Sequence, residues 1–225
     1  GPIDRPNAPR HAHTRPTPTS GGVGIGLGFG VALLAMAFLS DIFRSEIQPR
    51  GVVLLTFAAL FSTAFLLVGF WDDARPLGAK LKVVVFGALS IAATSIVGPV
   101  TDFPFANATW IAPAWLAILG TALWVFVVVN GVNFMDGANG LAMGSVAIGL
   151  AALGAISLLG GSIAGLALAA CAVGAILGFL VWNFPRGLLF AGDSGALFTG
   201  ALAALVSLIV IHRTGVSPVV PAIVF

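Results

Sequence analysis

Long runs of Ala, Leu, Val, Ile, Gly and Phe dominate the chain, broken at intervals by short polar stretches. Seven runs approach the roughly 20 apolar residues needed to cross a hydrocarbon core. They fall at about 22–40, 51–71, 83–99, 113–130, 141–160, 163–182 and 195–211, and an eighth starts near Pro218 and meets the last residue, Phe225. Backbone polar groups in lipid must pair internally, which leaves helices or closed barrels. Barrel strands alternate apolar and polar side chains, whereas these runs are apolar on every face. The expected fold is therefore all-α, a polytopic transmembrane helical bundle with about seven complete spans.

Composition agrees with lipid as the solvent. Hydrophobic residues make up 59% and charged residues 8% of the chain, against about 25% charged in a typical soluble domain. Mean hydropathy is +1.09. Residues 1–225 are expected to form a single integral-membrane domain, with 1–21 a cytoplasmic loop and 22–225 the bundle. The first residue is Gly1 and no signal peptide is visible, so the expectation is a chain shortened at both ends. Cys171 lies mid-span among alanines and reads as a packing residue. The formal net charge of +2 says little about partners, and no nucleic-acid partner is expected.

The distribution of charge says more. With the N-terminal segment inside, Arg5, Arg10, Arg15, Arg75, Lys80, Lys82 and Arg186 fall in the cytoplasm, and Arg44, Arg50 and Arg213 fall outside. That excess satisfies the positive-inside rule. Trp71, Trp110, Trp115 and Trp182 sit near span ends, as interfacial anchors do. In the first span Gly22, Gly24, Gly26, Gly28 and Gly30 alternate with other residues. They give small-xxx-small patterns for close helix packing; no strand precedes them, so they are not a dinucleotide loop.

Under this topology every strongly polar cluster lands on the cytoplasmic side: "RPNAPRHAHTRPTPTSGG" (5–22), "WDDARPLGAKLK" (71–82), "NGVNFMDGANG" (130–140) and "WNFPRGLLFAGDSG" (182–195). The outer loops offer only short pieces such as "DIFRSEIQPR". One site assembled from several inner loops is the expected arrangement.

Asp72 and Asp73 are adjacent like charges at a low-dielectric boundary, and need a cation, a proton or basic neighbours to offset them. A solvated helix end would explain an isolated pair, but Asp136 and Asp193 fall on the same side. Carboxylates without cysteine suit Mg²⁺, with Mn²⁺ as the alternative, rather than zinc. Lys80 and Lys82 follow the pair, and Arg10, His11, His13 and Arg15 lie in the first loop. Carboxylates and basic groups together suit a phosphate- or diphosphate-bearing substrate. Asn130, Asn133, Asp136 and Asn139 recur every third residue, which on a helix aligns them in one stripe facing protein or a wet cavity. Asp193 can cap the helix that follows it, but beside three other membrane-edge carboxylates it reads as a metal ligand.

Four motifs in order, "HTRPTPTSGG", "DD" followed by "LGAKLK", "NGVNFMDGANGLA" and "FAGDSGALFTG", make the chain resemble the polyprenyl-phosphate N-acetylhexosamine-1-phosphate transferase superfamily. That superfamily also contains phospho-N-acetylmuramoyl-pentapeptide-transferase; the short inner loops favour its bacterial undecaprenyl-phosphate glycosyl-1-phosphate branch. The resemblance implies an Mg²⁺-dependent enzyme of the bacterial inner membrane, with its active site facing the cytoplasm. It would move a sugar-1-phosphate, GlcNAc-1-phosphate or a related N-acetylhexosamine-1-phosphate, from a UDP-sugar to undecaprenyl phosphate. The products are UMP and the undecaprenyl-diphospho-sugar that initiates cell-envelope glycan synthesis, lipopolysaccharide or O-antigen among them.

By the same resemblance Asp193 is the metal ligand, and Asp72 or Asp73 activates the lipid phosphate. Asp136 with Asn133 organises metal and diphosphate. Phe190 corresponds to an aromatic that stacks on uracil. Asn139 stands where many members have a second Asp near the uridine, and an Asn can still hydrogen-bond a uracil edge. Lys82 and Lys80 match basic positions after the Asp pair, and Asn130, His13 and Arg15 complete the expected substrate contacts. A further His-rich motif is expected toward the C-terminus, and nothing after His212 matches it. The expected partners are the UDP-sugar, the polyprenyl phosphate, the bilayer and, as an open option, a second copy in a homodimer. The competing reading is a proton- or ion-coupled transporter with a cytoplasmic-face carboxylate site.

Overall fold

The computed structural model describes residues 3–4, 17–105 and 108–225. Its helices are α1 (Gly21–Leu39), α2 (Asp41–Glu46), α3 (Pro49–Ala74), α4 (Ala79–Val97), α5 (Ala114–Met135), α6 (Leu141–Leu159), α7 (Ile163–Asn183), α8 (Gly192–Thr214) and α9 (Val219–Val224). Seven of them are long and apolar enough to cross a membrane, and they coincide with the seven expected spans. Where the helices stop follows from local chemistry. Pro49 opens α3 at a position whose N–H would be unpaired anyway. Ser162 caps α7 by accepting the Gly165 N–H at 3.3 Å. Gly215 ends α8 in the left-handed conformation.

Helix α8 is the hub. Ninety-four per cent of its most apolar stretch is buried, against 17% for α1, which turns most of its surface outward. Around α8 pack α3, α5, α6 and α1. The outward faces carry exposed Leu27, Val31, Phe38, Leu60 and Leu67, as lipid contact demands.

The glycines of α1 divide by neighbour. A Cβ on Gly22 would lie 2.1 Å from the Gly195 nitrogen, and one on Gly26 would lie 2.4 Å from Leu66. Nothing lies within 4 Å of Gly24 or Gly30. Close packing therefore uses only part of the small-residue pattern.

Two short antiparallel pairs depart from the purely helical expectation. The first, β1 (Ile3–Asp4) with β2 (Thr17–Pro18), precedes α1. The second, β3 (Asp102–Phe105) with β4 (Ala108–Ile111), joins α4 to α5 at the end opposite the polar clusters. There Phe103 and Trp110 stack at 5.5 Å between ring centres over an apolar cavity of about 410 Å³, lined by α5, α8 and α9. That outer loop was expected to be unremarkable; the alternation in "DFPFANATWI" is the signal it carried.

Candidate active site

The ends of α3, α4, α5 and α8 on the side of the polar clusters meet at one group of side chains. Helix α3 runs to Ala74, so Asp72 and Asp73 occupy its last turn. Asp73 reaches α8: its Oδ1 accepts the Asp193 N–H at 2.9 Å and its Oδ2 accepts the Ser194 N–H at 3.1 Å. This carboxylate satisfies two of the amides that a helix N-terminus leaves unpaired and lies at the positive end of its dipole. The approach depends on two glycines. Gly192 has φ +67°, and a Cβ there would lie 2.7 Å from Asp73 Oδ2; a Cβ on Gly69 would lie 2.5 Å from the Asp193 carbonyl oxygen.

Asp193 was expected as a metal ligand, with the cap of α8 as the lesser alternative, and it does not occupy the cap position. It is instead the second residue of that helix, with Ala191 at the N-cap and no capping bond from its own side chain. Asp73, from another helix, does the capping. Asp193 is thereby freed to point at the polar group. Its Oδ1 accepts from Asn133 Nδ2 at 3.0 Å, and its Oδ2 accepts from Lys82 Nζ at 3.3 Å. Lys82, in the first turn of α4, also pairs with Asp72. Asp72 is 6% exposed and accepts the Leu77 N–H at 2.6 Å. One lysine thus bridges two carboxylates on separate helices.

The expected stripe of Asn130, Asn133, Asp136 and Asn139 does not form. Helix α5 ends at Met135, Asp136 is its C-cap, and Asn139 lies beyond it in a turn that closes at the left-handed Gly140. Only Asn133 joins the cluster directly. Asn130 donates back to the Phe126 carbonyl at 2.7 Å within its own helix, the local bond that mid-helix asparagines favour. Asn139 instead reaches the α7–α8 loop, donating to the Pro185 carbonyl at 3.3 Å.

Asn183, which the sequence reading passed over, joins the same two loops. It is 6% exposed; its Oδ1 accepts the Gly140 N–H at 2.7 Å and its Nδ2 donates to the Leu189 carbonyl at 2.9 Å. The available signal was an Asn at the end of an apolar span, two residues before Pro185. Phe190 is half-buried beside α1: its N–H donates to the Pro18 carbonyl, and its carbonyl accepts the Gly21 N–H, both at 2.9 Å. Lys80 is exposed in the first turn of α4. His13 and Arg15 lie outside the described residues.

Asp136 is half-buried, and its carboxylate receives no hydrogen bond from the described residues. Burial, and behind it the charges of Asp193 and Asp73, push its carboxyl up to about 7. A group so placed calls for a cation. Among the described residues no three His, Cys, Asp or Glu side chains converge as a complete metal cage. Mg²⁺ does not need one: it takes one or two carboxylates, keeps several waters and fills its shell with substrate phosphates. The all-oxygen donors Asp136 and Asp193 fit that pattern and are the residues that could hold it.

Comparison with known proteins bears on this geometry. The chain is 29% identical over 167 residues to a probable undecaprenyl-phosphate N-acetylglucosaminyl 1-phosphate transferase of Bacillus subtilis, covering 72% of this chain and 46% of the relative. It is 31% identical over 189 residues to the phospho-N-acetylmuramoyl-pentapeptide-transferase of the same organism, covering 73% and 53%. The Listeria innocua protein of that name is 30% identical over 193 residues, covering 80% and 57%. The chain thus spans about half the length of these relatives. Both kinds of transferase match at similar identity, and a transferase family is against the transporter reading. Residues 53–211, most of the bundle and all four carboxylates, match the profile of glycosyl transferase family 4, and the chain belongs to that family.

Proposed function

We propose that the inner end of this bundle transfers a sugar-1-phosphate from a UDP-sugar to a polyprenyl phosphate and releases UMP. The acceptor is undecaprenyl phosphate, and the site faces the cytoplasm across a bacterial inner membrane. The observation that carries this reading is Asp193, held at the tip of α8 by Lys82 and Asn133 at 3.3 and 3.0 Å. A carboxylate flanked by donors from two other helices, beside the half-buried Asp136, suits a diphosphate and its counter-cation. Family membership and the names of the relatives support the reaction class. The sugar is an N-acetylhexosamine, GlcNAc first. The inner connections 75–78, 136–140 and 184–191 are short, which suits a small sugar better than a peptide-bearing one.

In this reaction an oxygen of the lipid phosphate attacks the β-phosphorus. The bond from that phosphorus to the oxygen shared with the α-phosphate breaks, and UMP leaves with the electron pair. Phosphoryl transfer of this kind needs positioning and charge neutralisation more than covalent help. The lipid phosphate is already anionic at neutral pH, so direct attack needs no enzyme nucleophile. Mg²⁺ held by Asp136 and Asp193 would supply charge neutralisation on the diphosphate.

The chain's own residues do the positioning. Asp73 fixes the start of α8 and with it the direction of the Asp193 side chain. Asp72 holds Lys82 between the helices, from where its ammonium meets the incoming phosphates. Both members of the acidic pair act by positioning: the oxygens of Asp73 are engaged by α8 amides, and those of Asp72 by the Leu77 N–H and Lys82. Phe190 and Asn139 take the uracil side.

A panel of UDP-sugars offered with undecaprenyl phosphate to the full-length protein tests this reading. A lipid-diphospho-sugar detected by mass spectrometry for one of them supports it. Absence of product with every donor, from folded protein in Mg²⁺, contradicts it.

A further inference from the structure

We propose that the free edge of β4 pairs with β4 of a second copy of this chain, joining two hairpins into one four-stranded antiparallel sheet across a two-fold axis. The inference lies at the end of the bundle opposite the carboxylates and does not depend on the reaction proposed above.

The register of the hairpin fixes which backbone groups are free. The Ala112 N–H donates to the Thr101 carbonyl at 2.8 Å, so this opposed pair is hydrogen-bonded. Opposed pairs in an antiparallel ladder alternate between bonded and non-bonded. Phe103 with Trp110 and Phe105 with Ala108 are therefore bonded pairs, and Asp102 with Ile111 and Pro104 with Thr109 are not. The backbone groups of these last four residues point away from the hairpin, along its two edges. Among the described residues, nothing bonds the backbone of Thr109 or Ile111.

The two edges are built differently. At its outward positions β3 carries Asp102, a charge, and Pro104, which has no N–H. Charge and proline are the devices with which natural edge strands resist pairing. At the same positions β4 carries Thr109 and Ile111, both strong β-formers with intact N–H groups. All four residues of β4 are exposed and none is charged. A two-stranded hairpin is marginal by itself, and further strands stabilise it. One guarded edge beside one open edge points to a partner strand on the open side.

A second copy fits that strand. Two copies in one bilayer share its orientation, so a two-fold axis between them runs along the membrane normal. Through a sheet lying across that normal, such an axis pairs a strand with itself antiparallel. The hairpin lies this way: Phe103 and Trp110 share the face that covers the cavity among α5, α8 and α9. Centred on Trp110, the pairing sets Thr109 opposite Ile111 of the second copy, and the reverse, so that both free N–H groups of each strand find carbonyls. Trp110, 47% exposed, then meets its counterpart in the close, non-bonded pair where aromatic side chains touch. Asp102, the one charge of the hairpin, lies on the far strand, so no like charges meet across the axis.

So small an interface is tested with both copies confined to one bilayer. The full-length protein in native membranes, in a cysteine-free background that includes Cys171→Ala, receives Trp110→Cys or, on the guarded edge, Pro104→Cys. After mild oxidation the disulfide-linked dimer is measured on non-reducing gels and its cross-linked peptide identified by mass spectrometry. Opposed residues of a non-bonded pair have Cα atoms about 4.5 Å apart, within disulfide reach, so Trp110→Cys should give about tenfold more dimer than Pro104→Cys. Adding Ile111→Pro removes an edge N–H and no bond within the hairpin, and should cut that yield about tenfold. If that variant does not fold, Ile111→Lys, which puts a charge on the edge, replaces it with the same expected loss. Equal yields from the two cysteine positions, or a yield that neither Ile111 substitution lowers, overturn the proposal. Cross-linking of Trp110→Cys to another protein in place of a second copy overturns it as well.

Discussion

The Asp73 carboxylate, at the end of α3, accepts the backbone N–H of Asp193, at the start of α8, at 2.9 Å. This bond makes the acidic pair asymmetric. Asp73 is a cap supplied from another helix, and Asp72 is the partner of Lys82. Replacing Asp73 by Ala should destabilise the protein by about 1–2 kcal/mol, the usual cost of a lost cap. Asp73→Asn, which keeps one acceptor, should cost less. Thermal unfolding in detergent measures both, and equal stability of wild type and Asp73→Ala would show that the cap contributes nothing.

Lys82 bridges Asp72 and Asp193, and its removal leaves two carboxylates facing each other without a cation. Lys82→Met should lower kcat by about 100-fold or more, in the range of losing one preorganised charge-stabilising group. Lys82→Arg should keep part of the rate, because the positive charge remains while the geometry changes. Equal rates for the Met and Arg variants would deny the charge a role.

Asp136 carries a pH dependence whose sign follows from its carboxyl, which burial and the charges of Asp193 and Asp73 push up to about 7. Its ordinary value is 3.8, so between those limits the folded state binds more protons than the unfolded chain. Stability from this group is therefore present at low pH and lost as pH rises from about 4 to about 7. Melting curves in a metal chelator should show that decline in wild type and a flatter profile in Asp136→Asn. Superimposable profiles would remove Asp136 as the source.

Backbone proximity ranks the glycines. Gly22 and Gly69 face backbone of α8 at distances no Cβ tolerates, whereas Gly24 and Gly30 face nothing within 4 Å. Gly22→Ala and Gly69→Ala should each destabilise by about 1–3 kcal/mol. Gly24→Ala and Gly30→Ala should stay within about 0.5 kcal/mol of wild type. Melting temperatures of the four variants check the ranking.

The spans were legible because lipid imposes a simple rule on composition, and each expected run became a helix within a few residues of its bounds. Asp72, Lys82, Asn133 and Asp193 were legible as a group because charge at a membrane edge is costly and these fell on one side. The contacts within the group were not. A period of three through Asn130, Asn133, Asp136 and Asn139 implied one continuous helix, but the glycine-rich stretch after Met135 ends α5 and sends Asn139 to another loop. The capping role of Asp73 was not legible, because capping is usually local and Asp193 itself was the nearest alternative; here α3 arrives close enough, through Gly69 and Gly192, to supply the cap. Asn183 escaped notice because a lone polar residue at a span end gives no periodic signal, and its importance lies in two backbone partners far apart in sequence.

Release of UMP from a UDP-sugar in the presence of undecaprenyl phosphate tests the central claim most directly. It should be measured on full-length wild type and Asp193→Asn, with chelator and then with Mg²⁺ restored. The expected result is turnover by wild type that stops in chelator and returns with Mg²⁺, and almost none from a folded Asp193→Asn protein under either condition. Wild-type rates from Asp193→Asn, or turnover indifferent to chelation, would contradict the account.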